Sequence, residues 1–293
     1  MKWILPLAIG MVLSAPVAAQ DAPALPDYVT AAVADPARAD DAKDDSRRHI
    51  AEIVAFSGVK PGDSVLELVP GSGYWSRVFS KIIGPEGTLY AAVPEPMQKY
   101  SEETMTLPDS HPNIRVLVQP AAALAVPTPV DVAFTAQNYH DYPDKFMGPT
   151  DPAILNRAVF AALKPGGTYL VIDHVAEAGS GLRDTETLHR IDPALVRQQV
   201  EAAGFEYVGE SAVLRSPADD HTLKVFDDAI RGRTDQFVYK FRKPAAAQAA
   251  PDDAHAHHAG DTPDVKDMKN MEHGAPVTPA APDAPTVPTP QED

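Results

Sequence analysis

The chain contains no cysteine. Disulfides, thiolate nucleophiles and zinc–thiolate clusters are therefore excluded, and stability has to come from a packed core. Positive charge is also scarce. Twenty-five Lys and Arg stand against 41 Asp and Glu, a formal net charge of −16. Such a surface repels nucleic acid and anionic membranes, so neither is an expected partner. Residues 245–293 alone hold nine acidic residues and two lysines. Long apolar runs are missing after the N-terminus. The run from Trp3 to Leu13 is shorter than the roughly 20 residues that a bilayer span takes.

What the N-terminus does contain is ordered like a secretory signal. Lys2 supplies a positive start, the apolar run follows, and Val17-Ala18-Ala19 offers a small-residue cleavage site. Residues 1–19 are thus expected to be removed, leaving an exported, periplasmic protein with no stable membrane insertion. An Ala/Asp/Pro-rich extension over residues 20–45 is expected to wrap loosely over the surface. Residues 244–293 are rich in Pro, Ala, Asp and His. Their few apolar side chains do not offset the entropy of ordering them, so this tail is expected to be disordered.

Between these ends, strand and helix patterns alternate. Helices are expected over residues 46–56, 74–83, 96–105, 153–163 and 193–203. Strands are expected over residues 64–68, 88–93, 114–118, 130–135, 168–173, 205–214 and 235–242. The pattern predicts an α/β, Rossmann-like sheet of seven strands, mostly parallel, with helices on both faces and a closing antiparallel strand.

The most informative stretch runs from Asp63 to Phe79. An apolar strand carrying Glu67 enters the turn Pro70-Gly71-Ser72-Gly73, and a helix starts directly after it. Glycines allow close approach of backbone to a ligand, and the helix N-terminus offers unpaired N–H groups. At the carboxyl end of a parallel strand, such a unit opens a nucleotide pocket.

With Val65-Leu-Glu-Leu-Val-Pro-Gly-Ser-Gly73, three further features complete a pattern. They are Val130-Asp-Val-Ala-Phe134 with Gln137-Asn-Tyr-His-Asp-Tyr142, Leu163-Lys-Pro-Gly-Gly167 before a strand, and the closing strand pair. In this the chain resembles the class I S-adenosylmethionine-dependent methyltransferases over roughly residues 46–243. More narrowly, it resembles an exported bacterial group described only as predicted methyltransferases. The resemblance implies S-adenosylmethionine as cofactor, held at its methionine end by the loop Pro70, Gly71, Ser72 and Gly73. Glu67 matches the acid that helps hold the cofactor's ammonium group. Three positions depart from the pattern. Val69 stands where the first glycine is usual, the second strand ends in Val93 with Glu95 as the nearest acid for the ribose, and Gln119 replaces an acid near the adenine.

The resemblance also places the segment after the fourth strand beside the transferring methyl group. His140 is the candidate general base, Asp141 the residue that orients its ring, Asn138 an acceptor for a substrate amine or hydroxyl, and Tyr139 a pocket wall. His174 and His189 are secondary candidates for substrate contacts at the same rim, while His189-Arg190 and Asp192 read rather as structural ion pairs or a cap of the helix starting at Pro193. Asp219-Asp220-His221 reads as a solvated turn. No metal ligand is assigned in the domain. The expected activity is methyl transfer to an unidentified small-molecule or envelope acceptor. Two alternatives are a non-catalytic exported small-molecule-binding protein on the same fold, and a periplasmic metal-handling protein. The second would use His255, His257, His258, Met268, Met271 and His273, whose imidazoles and thioethers suit weak metal binding.

Overall fold

Seven strands form one sheet: β1 Ser64–Leu68, β2 Thr88–Pro94, β3 Ile114–Gln119, β4 Val130–Ala136, β5 Leu163–His174, β6 Glu206–Glu210 and β7 Gln236–Arg242. Their order is β3-β2-β1-β4-β5-β7-β6. The first five pair in parallel, and β7 lies antiparallel between β5 and β6. The expected architecture is thus present. The computed structural model describes residues 24–245, so the expected signal segment and His/Met tail lie outside the described residues. Among the described residues, no helix is long and apolar enough to cross a membrane.

Alternation along the strands decides which helix covers which face. Val65, Leu89, Val132 and Leu170 pack with α3 (Ile50–Ser57) and α4 (Tyr74–Ile83). The intervening Leu66, Tyr90, Ala133 and Tyr169 pack with α6 (Pro152–Ala162) and α8 (Pro193–Ala202). Both faces are therefore buried, as the near-continuous apolar strands require. Strand order reverses between β1 and β4, and ligands of open α/β sheets bind beyond the strand ends at such a point.

The stretch before residue 46 is helical rather than loosely wrapped. Helix α1 (Asp27–Val33) buries Val29 and Ala32 in the cluster shared with α3 and α4. Buried Arg38 reaches Asp45 of α2 (Ala42–Arg48) at 2.9 Å, and Arg77 of α4 holds Asp41 through two 2.6 Å hydrogen bonds. The single helix expected over residues 46–56 is two, because His49 is left-handed at φ +47° and separates α2 from α3. The helix expected over residues 96–105 is a 3-10 turn, Glu95–Tyr100, followed by α5 (Glu102–Thr106). Strand β6 is shorter than expected, since it is an edge strand whose register to β7 shifts between Tyr207 and Gly209.

Candidate active site at the carboxyl edge of the sheet

Alternation along β1 turns Glu67 toward α4, where Ser76 Oγ donates to its Oε2 at 2.5 Å. Glu67 is 1 % exposed. Burial pushes its carboxyl up to about 8, against the weaker opposing pull of the Ser76 hydrogen bond and the Arg77 charge. The chain then turns through three left-handed residues: Val69 at φ +52°, Gly71 at +59° and Gly73 at +83°. The two glycines serve different ends. A Cβ on Gly73 would lie 2.6 Å from Leu107 Cδ1, so this glycine permits packing. A Cβ on Gly71 would meet nothing within 4 Å, so this one keeps the main chain open to the solvent side. Pro70 is buried and Ser72 exposed. Beside Ser72 lies a cavity of about 400 Å³ lined by Arg38, Asp41, Arg48, Tyr74 and Arg77.

Asn138 fastens this loop to the end of β4. Its Nδ2 donates to Ala136 O at 2.6 Å and to Val69 O at 3.3 Å. The amide oxygen remains for an acceptor's N–H or O–H. Thr104 Oγ1, donating to Gly71 O at 2.7 Å, holds the loop from the other side. Farther along the edge, Glu95 is exposed in the first turn after β2. Gln119 is not free for a ligand, because both ends of its amide bond the Ala125 backbone, at 3.1 and 3.3 Å.

His140 sits two residues beyond Asn138 and is 2 % exposed. Its Nδ1 donates to Asp173 Oδ1 at 2.7 Å, and its backbone N–H donates to Asp173 Oδ2 at 2.8 Å. Asp173, near the end of β5 and wholly buried, is thus the group that orients the ring. The sequence pointed to Asp141 for that role, and Asp141 instead faces the opposite nitrogen, Nε2, at 3.0 Å. His189 joins the same cluster, with Nδ1 at 3.3 Å from His140 Nε2 and 3.4 Å from Asp141 Oδ1. Burial alone would lower the His140 pKa, but the carboxylates of Asp173 and Asp141 outweigh it and push the imidazole up to about 10. A doubly protonated ring has no lone pair to take a proton from an acceptor, so a base role requires something that displaces the Nε2 proton.

Other expected placements differ. Tyr139 does not wall an open pocket. It is fully buried, bonded through its hydroxyl to Asn156 at 2.7 Å and Gln199 at 3.1 Å, because the 3-10 turn Tyr139–Asp141 rotates it into the core. His174 turns inward to Thr234 Oγ1 at 2.9 Å, and burial drives its pKa down to about 4. Arg190 and Asp192 are structural. Arg190 is fully buried against Asp219 at 2.9 Å, and Asp192 caps α8 through Ala194 N. Asp219 is therefore a buried ion-pair partner and not part of a solvated turn, since it neutralises a guanidinium that has no water around it. The structure brings Glu67, Gly71, Asn138, His140, Asp141 and His189 to one edge of the sheet. Sequence reading missed Ser76 under Glu67 and the pairing of His140 with Asp173. No spacing encodes contacts made across 9 and 33 residues between different elements.

Comparison with known proteins agrees with this fold. No family model matches the chain. The ubiquinone/menaquinone biosynthesis C-methyltransferase UbiE of Shewanella woodyi is 30 % identical over 181 residues, 58 % of this chain and 66 % of that protein. The UbiE of Yersinia pestis is 29 % identical over 180 residues, with the same coverage of 58 % and 66 %. The chain thus spans just under two thirds of these relatives' length. Among solved structures, the [4+2]-cyclase SpnF superposes with a TM-score of 0.51 at 17 % identity, covering 68 % of this chain and 81 % of SpnF. A Galdieria sulphuraria protein, itself provisionally assigned as a sarcosine dimethylglycine methyltransferase, gives 0.51 at 15 % identity, with coverages of 68 % and 85 %. At such identities the structures speak for the fold alone. Strand order agrees with the fold of these solved structures, and the curated relatives that the chain is similar to in sequence are C-methyltransferases.

Proposed function

We propose that this protein transfers a methyl group from S-adenosylmethionine to a small acceptor bound at the edge formed by Asn138, His140 and His189. The observation that carries the proposal is the pairing of a buried carboxyl, Glu67, with the open main chain at Gly71, both at the switch point of the sheet. An ammonium group beside Glu67 would draw its carboxyl back to the charged form, and Gly71 leaves room for the ligand's amino-acid end. Glu95 is the acid nearest the nucleoside end. These residues fit the cofactor at its amino-acid end, and the nucleoside end has fewer polar partners.

When bound, the sulfonium supplies an electrophilic methyl group that passes to an acceptor lone pair as the sulfonium becomes a thioether. The chain's part is positioning, and good alignment of reacting atoms is worth about 7–11 kcal/mol. Asn138 ties the cofactor loop to the strand that carries the acceptor edge, so the two sites keep one spacing. Its free amide oxygen accepts from the acceptor's N–H or O–H. Phe146 and Phe226 flank His189, with ring centroids 6.4 and 4.9 Å away, and are 44 % and 51 % exposed. Exposed rings beside a polar cluster suit a flat, apolar acceptor with one polar group. The curated relatives named above are C-methyltransferases of ubiquinone/menaquinone biosynthesis.

Export to the periplasm is part of the proposal and rests on the character of residues 1–19. Mass measurement of the mature N-terminus checks it. The central test is calorimetric titration of the full chain with S-adenosylmethionine and S-adenosylhomocysteine. One equivalent of each should bind, and absence of binding by both overturns the proposal.

A further inference from the structure

We propose that His140, Asp141 and His189 form a binding site for a divalent first-row transition-metal ion. Three potential ligand atoms meet there: His140 Nε2, Asp141 Oδ1 and His189 Nδ1. Their separations are 3.0, 3.3 and 3.4 Å. Metal–nitrogen and metal–oxygen bonds of about 2.0–2.2 Å place tetrahedral ligands roughly 3.3–3.5 Å apart and adjacent octahedral ligands roughly 2.8–3.1 Å apart. The observed triangle has the size that one ion imposes on three ligands.

A second observation points the same way. Asp141 Oδ1 is buried and has no hydrogen-bond partner among the described residues, although two ring nitrogens lie within 3.4 Å. Asp141 as a whole is 7 % exposed. A buried carboxylate oxygen without a donor costs about 1–3 kcal/mol or more, so an unsatisfied one calls for an explanation. A proton on His140 Nε2 can be aimed at His189 Nδ1 or at Asp141 Oδ1 but not at both, and the observed geometry leaves Asp141 Oδ1 without an aligned hydrogen bond. A cation satisfies all three atoms at once.

The surroundings are those of a ligand set. His140 donates its other nitrogen to Asp173, which is held in turn by the backbone N–H groups of His140 and His174 at 2.8 and 2.7 Å. Such a carboxylate–histidine pair fixes the tautomer and aims Nε2 outward. His189 reaches the cluster from a left-handed backbone at φ +55°, and a residue kept in that region is held by its surroundings. Asp144 adds a second nearby carboxyl, with Oδ1 accepting from Thr185 at 2.8 Å and Oδ2 buried without a partner among the described residues. Two imidazoles and a carboxylate suit zinc, cobalt, nickel, iron or manganese, and three protein ligands leave a position for water or for an oxygen of a small molecule. His189, partly exposed between Phe146 and Phe226, marks the open side. The site stands on its own geometry and does not depend on methyl transfer.

The test uses the full chain, freed of metal by chelator dialysis and titrated with Zn²⁺ by calorimetry and with Co²⁺ by visible absorption. The histidines of residues 255–273 are present in every sample, so the difference between proteins is the readout. Wild-type protein should bind one more tight equivalent than His189→Ala or Asp141→Asn, and its cobalt d–d bands should be lost in both variants. Asp173→Asn should keep the stoichiometry and weaken binding about 10- to 100-fold. Circular dichroism identifies any variant that has not folded, and the isosteric Asp141→Asn then decides. Equal stoichiometry and equal cobalt spectra in wild type and Asp141→Asn would overturn the proposal, as would a wild type that binds no tight equivalent.

Discussion

Asp173 grips His140 twice, through ring Nδ1 at 2.7 Å and through the backbone N–H at 2.8 Å. One carboxylate on β5 therefore sets both the rotation of the imidazole and the path of the turn after β4. Removing one partner of a buried charged pair typically costs about 3–5 kcal/mol, because the other is left uncompensated. Asp173→Asn should lower stability by that order in metal-free protein. Asp141→Asn should cost less, since Asp141 meets His140 only at ring Nε2, whereas Asp173 holds both the ring and the backbone N–H. Urea unfolding in chelator, with both variants beside wild type, reads the difference. Equal losses would show that Asp173 is not the anchor.

Val69 is a β-branched residue in the left-handed region, a conformation that favours glycine. That backbone costs an L-residue about 1–2 kcal/mol. Val69→Gly relieves the strain but loses about 1.5–3 kcal/mol of side-chain burial and about 0.5–1 kcal/mol of backbone entropy. The balance is a net loss of about 1.5 kcal/mol. Val65→Gly, at a fully buried position of β1 with ordinary strand geometry, loses the burial and entropy contributions with nothing returned. Its urea midpoint should fall about twice as far. A Val69→Gly loss as large as that of Val65→Gly would mean that the loop stores no strain.

Gly71→Val tests the open side of the loop. At φ +59° any side chain is strained, so about 1–2 kcal/mol of stability should be lost. Nothing within 4 Å opposes the new Cβ, so the fold should persist, with a melting temperature only a few degrees lower. The valine occupies the space over the bare main chain, and cofactor binding by calorimetry should fall below detection. Unchanged binding would remove the loop from the cofactor site.

Much of the fold was legible because period-2 and period-3.6 patterns fix strands and helices wherever a face is buried. β1, β4 and α4 appear within a residue of their expected bounds. The errors fall where local chemistry overrides the pattern. The left-handed turn at His49 splits one amphipathic run in two. The Ala/Asp-rich start looked unstructured because Val29 and Ala32 are a small apolar set, while Arg38–Asp45 and Arg77–Asp41 supply much of its attachment. The site was legible as a list of chemical groups, Glu67, Gly71, Asn138 and His140, but not as a geometry. Tyr139 and Asp141 lie beside His140 in sequence, yet the 3-10 turn sends one into the core and the other toward His189. Asp173 and His189, 33 and 49 residues away, complete the cluster only once β4, β5 and α7 (Thr185–Leu188) meet at the same edge.

Glu67 gives a pH signature with a defined sign. Its carboxyl is raised from 4.5 to about 8, chiefly by burial, so the folded protein keeps a proton that the unfolded chain releases. The stability from that proton is present in full below about pH 4.5 and is lost progressively as pH rises through about 8. Glu67→Gln is neutral at every pH, so its stability relative to wild type should improve between pH 5 and 8. Ligand binding carries the complementary sign. A ligand ammonium placed beside Glu67 favours the carboxylate, so binding below about pH 8 should release a proton, and affinity should rise by up to about tenfold per pH unit toward that point. Titration with S-adenosylmethionine at pH 7, in buffers of different ionisation enthalpy, counts the proton directly. Wild type should release close to one and Glu67→Gln close to none. Binding by wild type without proton release would place the ammonium elsewhere and leave Glu67 as a structural partner of Ser76.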